Sequence, residues 1–161
     1  MNDMTPALAD PRLAGLDHTV VRHGRVSSLE EAAALRGVDP ASVIKTLVVR
    51  RADDDYLFVL VPGDRVIDWQ KLRSLTGERR LSMPDAAEAL IVTGYERGTI
   101  TPFGAVTQWP VIADAAIAGA TVSIGGGAHG VSITVDGASL IEILGATVAD
   151  VTSAHITDGG R

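Results

Sequence analysis

Residues 42–62, SVIKTLVVRRADDDYLFVLVP, constrain the fold more than any other stretch of the chain. Two runs dense in β-branched and aliphatic side chains flank an acidic turn, the pattern of a β-hairpin. Neither run alternates cleanly between apolar and polar residues, so both faces of the hairpin call for cover. Lys45 breaks the pattern. On a strand it shares a face with Val43, Leu47 and Val49, while Ile44, Thr46 and Val48 point the other way. A lysine there needs a partner, an opening to a pocket, or a route for its stem to reach water.

Around the hairpin, helices and short strands are interspersed without a strict βαβ rhythm. The stretch 17–23 suits a strand. SSLEEAAALRG, residues 27–37, suits a helix, with Ser28 and Glu31 at capping-box spacing and Gly37 at its end. Asp68 caps a helix that Gly77 closes, and RRLSM, residues 79–83, reads as a short strand. Pro84 sits at the first turn of the next helix. Strands over 110–114, 120–126 and 130–136, a helix over 138–145 and the run ATVADVT, residues 146–152, complete the reading. The expected class is α/β of the α+β type: one domain, a mixed β-sheet and surrounding helices. That domain is expected over residues 16–152, after a loosely helical lead-in, 1–15, and before a tail, 153–161.

Composition then narrows the chemistry. The 161 residues include no cysteine, which removes a disulfide framework, a thiolate metal site and a cysteine nucleophile. No run of 18 apolar residues and no signal-peptide pattern is present, so the cytosol is the expected compartment, with no membrane partner. The formal net charge of −6 argues against gripping a long duplex, DNA included, but allows a local basic pocket. Lys71, Arg73, Arg79 and Arg80 are candidates for a basic surface.

Two glycine-rich stretches stand out. In TGYERGTITPFG, residues 93–104, Gly98 and Pro102 set mobile and rigid points within five residues. Such a loop can aim consecutive N–H groups at an anion or a polarised carbonyl oxygen. In SIGGGAHG, residues 123–130, three glycines lie between two strands and permit close approach. Neither is a dinucleotide or P-loop fingerprint. Of His18, His23, His129 and His155, no pair has zinc-ligand spacing, and His129 is the one placed to line a pocket. No G-x-S-x-G elbow exists, and no cofactor or metal is expected.

Taken in order, VIKTLVV, TGYERGTITPFG, SIGGGAHGVSI and ATVADVT resemble the YbaK/EbsC family, stand-alone relatives of the editing domain of bacterial prolyl-tRNA synthetases. The resemblance covers roughly residues 16–152. It implies a strongly curved mixed sheet ringed by helices. It also implies trans-editing: hydrolysis of the ester that joins a wrong amino acid to a tRNA, in several members tRNA for proline. The implied partners are the tRNA acceptor end and a prolyl-tRNA synthetase.

By position, Lys45 matches the family lysine that holds the terminal nucleotide, and Gly98 to Pro102 match the loop beside the ester. The resemblance thus implies Lys45, Gly98 and Thr99 as catalytic residues. It implies Thr46, Tyr95, Thr101, Pro102, Gly126, Gly127, His129 and Ser132 as substrate-binding. His129 stands where the family often has another basic residue, and Ser132 where some members have aspartate. No protein nucleophile is evident, so the implied mechanism is substrate-assisted. Two other readings stay open: a non-catalytic binder of tRNA or synthetase, and a small nucleotide-binding protein that shares the fold.

Overall fold

The computed structural model describes residues 4–154, so His155 and the outer parts of both terminal segments lie outside the described residues. The hairpin is built from β2, Ile44–Ala52, and β3, Asp55–Pro62, paired antiparallel. Asp54 takes a positive φ at its tip, and the register shifts between Arg50 and Ala52. That bulge tightens the twist beside the turn.

β3 is buried along nearly its whole length. It pairs in parallel with β5, Val111–Asp114, which pairs in parallel with β8, Thr147–Ala149. The four-stranded order is therefore β2-β3-β5-β8, which leaves β2 at an edge. A second sheet, β1-β7-β6, joins His18–Arg22, Val131–Asp136 and Thr121–Gly125, all antiparallel. A third pairs β4, Arg65–Ile67, with β9, Thr152–Ala154. One bridge, Val43 to Ser123, couples the first two sheets. The expected mixed α+β domain is borne out, with its strands divided among three open sheets.

Sheet faces follow the alternation expected at the hairpin. Ile44, Val48, Phe58 and Leu60 pack with Ile124, Ile133, Phe103 and Leu140 in one core. Val49, Leu57, Val59 and Val61 pack with Leu72, Ile112 and Val151 in the other.

The helices end where their side chains dictate. Ser28 accepts from Glu31 N to start α2, Leu29–Arg36, and Gly37 ends it in the left-handed conformation. Glu31 reaches back to Ser27 N rather than to Ser28, one residue outside the usual box. Asp68 caps α3, Trp69–Thr76. Asp85, not Pro84, opens α4, Ala86–Thr93, so the proline sits just outside the helix instead of in its first turn. RRLSM makes no full strand; Ser82 bridges Arg50 alone. Asp136 caps α5, Gly137–Leu144. The lead-in holds a single turn, α1, Pro11–Ala14.

Candidate active site

The loop after α4 is shaped by its own polar groups. Thr93 Oγ1 donates to Ala89 O at 2.7 Å and accepts from Tyr95 N at 3.1 Å. Thr99 N and Oγ1 both donate to Glu96 O, at 3.0 and 2.8 Å. Gly98, between them, has φ +95°, a conformation that L side chains rarely adopt. Its N–H donates to no acceptor among the described residues. Tyr95 OH closes the loop on Phe103 O at 2.7 Å. Burial, with the Asp10 carboxylate nearby, pushes the Tyr95 phenol up to about 12, so it stays protonated as that donor.

The second glycine stretch is a tight turn from β6 to β7. Gly126 N donates to Val131 O at 2.8 Å, and a Cβ on Gly126 would come within 2.6 Å of Val131. This turn carries His129 to the first loop. His129 Nε2 donates to Glu96 Oε1 at 3.0 Å, and its ring lies over Gly98.

Two adjoining cavities result. One, about 670 Å³, is lined by His23, Gly24, Arg25, Val26, Arg36, Gly98, Thr99 and the turn around His129. The other, about 470 Å³, lies along β2 and is lined by Lys45, Thr46, Val48, Met83, Ala89, Arg97, Gly98 and Ile100 among others. Arg36, Gly98 and Gly125 belong to both. Neither lining includes a carboxylate.

The strand of Lys45 and the loop of Gly98 therefore meet on one cavity. The ammonium itself donates to Arg65 O at 2.7 Å. Half-burial lowers its pKa from the ordinary lysine value, and the Asp64 carboxylate offsets part of that. Thr46, on the opposite face of β2, is buried in the wall of the smaller cavity with its Oγ1 unbonded. A buried hydroxyl without a partner costs stability. Thr46→Val is therefore expected to raise the unfolding free energy by about 1 kcal/mol. Urea unfolding checks this, and a comparable loss would show that the hydroxyl already has a partner.

The other expected residues stand behind the cavity walls. Tyr95, Thr101 and Pro102 are buried in the loop base; Thr101 Oγ1 has no partner, and Pro102 O accepts from Arg12 Nη2 at 3.1 Å. Gly126 and Gly127 form the turn, with Thr5 Oγ1 donating to Gly126 O at 2.6 Å. Ser132 is buried and reaches Val21 O at 3.5 Å. Lys71, a candidate for a basic surface, is engaged with Asp150 and Thr152 O.

Sequence reasoning missed the cavity residues Arg25, Arg97 and Met83, and above all Arg36. Arg36 occupies the inward stripe of α2 with Leu29, Ala32 and Ala33, at the i, i+3, i+4, i+7 spacing. A basic residue on an otherwise small apolar stripe was the available signal.

Fold and site define a class: a mixed α+β domain with a backbone-amide loop set in a cationic double cavity. The chain belongs to the aminoacyl-tRNA editing domain family, whose model matches residues 23–143. It is similar to EbsC of Enterococcus faecalis, described as a candidate Cys-tRNA(Pro)/Cys-tRNA(Cys) deacylase, with 24% identity over 127 residues, 78% of this chain and 77% of that one. It is 36% identical over 106 residues to the proline–tRNA ligase of Heliobacterium modesticaldum, 63% of this chain but 18% of the ligase. A solved structure of a candidate trans-editing enzyme for prolyl-tRNA synthetase superposes with a TM-score of 0.79 at 25% identity, covering 89% of this chain and 96% of that one.

Proposed function

We propose that the protein is an aminoacyl-tRNA deacylase that acts in trans, in the cytosol, on the ester of a mischarged acceptor end. The observation that carries this reading is the double cavity. A chain with 20 acidic and 14 Lys and Arg residues lines it with Arg25, Arg36, Lys45, Arg97, His23 and His129 and with no acid, Glu96 meeting it only through His129. That local reversal of charge suits a short phosphate-bearing end rather than a duplex.

An aminoacyl ester is already activated, so the protein's task is to place its carbonyl and stabilise the developing oxyanion. The unengaged N–H of Gly98, at the junction of the cavities, is the donor for that oxyanion, while the Thr99 amide holds the loop turn through Glu96. No serine or cysteine nucleophile is called for; a water oriented by a free ribose hydroxyl of the substrate attacks the carbonyl, and the ester's ribose oxygen leaves as a hydroxyl, taking the proton that the water gives up. Lys45 lies along the cavity wall, where its ammonium can leave the Arg65 carbonyl for a terminal phosphate. The apolar cavity along β2 selects the aminoacyl group by size, with Met83, Val48 and Ile100 as walls. Prolyl-tRNA synthetase is the proposed source of the mischarged substrate, because the matching ligases contain this domain within a much longer chain.

A panel of mischarged tRNAs tests the proposal. Hydrolysis of at least one is expected, and Lys45→Ala should lower its kcat/KM by about ten- to a hundredfold, the worth of one charge-assisted contact. Tight tRNA binding without turnover of any substrate would favour a non-catalytic binder instead.

A further inference from the structure

Arg36 is unusual for a partly buried cation. It is half-buried at the end of α2, and it forms no ion pair among the described residues. Its protein contacts are two long ones: Nε to His23 Nε2 and Nη1 to Ser123 Oγ, each 3.4 Å. A guanidinium carries five N–H donors in a rigid fork, so most of its capacity is unassigned. Burial without a carboxylate pulls its pKa below the ordinary arginine value. His23 helps to aim it. The contact of Nδ1 with Gly24 O at 2.8 Å places a proton on Nδ1, which leaves Nε2 to accept from Arg36. Lys45, by contrast, has its ammonium on a backbone carbonyl at 2.7 Å. An uncompensated buried charge is costly to keep, unlike a surface lysine.

Resting on the reading that the ligand is an RNA end, we infer that Arg36 is a phosphate anchor of the site. Its fork takes two non-bridging oxygens of one phosphodiester in the single-stranded acceptor end, and it does so from the junction of the two cavities. The residue thus sets where the chain of the RNA crosses from one cavity to the other, leaving the ester beside Gly98.

The test uses the full protein and labelled uncharged tRNA as the binding probe, with a mischarged tRNA for turnover. Arg36→Met is expected to weaken tRNA binding and raise KM by about ten- to a hundredfold. The single-turnover rate at saturating tRNA should fall by less. The slope of log affinity against log salt should shrink by about 0.7, the share of one single-strand phosphate. Arg36→Lys should restore only part of the affinity, because it keeps the charge and loses the fork. The thermal midpoint of Arg36→Met should equal or exceed that of the unaltered protein, since a half-buried charge without an ion-pair partner has been replaced by an apolar side chain. Unchanged affinity and salt slope in Arg36→Met would overturn the inference while leaving the deacylase reading intact. A large drop in thermal midpoint in both variants would also overturn it, by assigning Arg36 to structure. If the unaltered protein neither binds tRNA nor hydrolyses its ester, the functional reading itself fails.

Discussion

Gly98→Ala is expected to lower kcat/KM for aminoacyl-ester hydrolysis by about 10²–10³-fold while the domain stays folded. The rate loss is the typical cost of losing one oxyanion donor, and a backbone donor can be lost only by turning it away. Gly98 has φ +95°, so a side chain there forces the loop towards another conformation and swings the N–H with it. The added Cβ would meet His129 Cε1 at 3.2 Å, an exposed ring that can move aside. Strain is therefore limited to about 1–2 kcal/mol of stability. Gly104 makes the contrast: its Cβ would meet the Pro6 carbonyl at 2.3 Å, where the obstacle is backbone. Single-turnover hydrolysis together with urea unfolding of Gly98→Ala separates the two effects. Full activity in a folded variant would remove the Gly98 amide from the mechanism.

How far such a site is legible in sequence depends on the range of the interactions that build it. The hairpin was legible because two apolar runs and an acidic turn are local, and its face alternation correctly separates Thr46 from Lys45. Helix ends at Ser28, Gly37, Asp68 and Gly77 were legible for the same reason. β4 was not, since three residues, Arg65–Ile67, carry no period, and their partner lies at Thr152–Ala154. Nor was the division into three sheets, which depends on pairings between strands far apart in the chain, such as β1 with β7 and β4 with β9. Arg36 was legible in principle from helical periodicity, but only its cavity reveals that its face is functional. The lead-in was the least legible. Thr5 bonds to Gly126 across 121 positions, and Asp10 to Gly104 across 94, contacts that no local pattern announces.

Those lead-in contacts make Asp10→Ala the substitution with the largest expected effect on stability outside the cores, about 3 kcal/mol. The Asp10 carboxylate is buried and accepts from Arg12 N at 2.8 Å, from the Arg12 guanidinium at 2.8 Å and from Gly104 N at 2.8 Å. Arg12 in turn donates to Pro102 O at 3.1 Å and lies 5.5 Å from the Phe103 ring centre. One carboxylate thus ties the lead-in to the far end of the Gly98 loop, and removing it leaves two N–H groups and a guanidinium without their acceptor. Burial acts to raise the Asp10 pKa, but the bonds from Arg12 and Gly104 and the guanidinium charge outweigh it and hold the group below its ordinary 3.8. A depressed folded-state pKa means that the contribution is complete above the unfolded value and is lost as pH falls through the folded one. The stability gap between the unaltered protein and Asp10→Ala should therefore be full near pH 7 and close progressively below about pH 4. Urea unfolding of both proteins across that range measures it. A gap that stays constant through the acid limb would mean that the carboxylate's charge does not hold the lead-in. Because the same bonds position Phe103 and Pro102, hydrolysis should weaken over the same pH interval in which the gap closes. The far end of the loop that carries Gly98 is thus anchored at Gly104 by a residue 94 positions earlier in the chain.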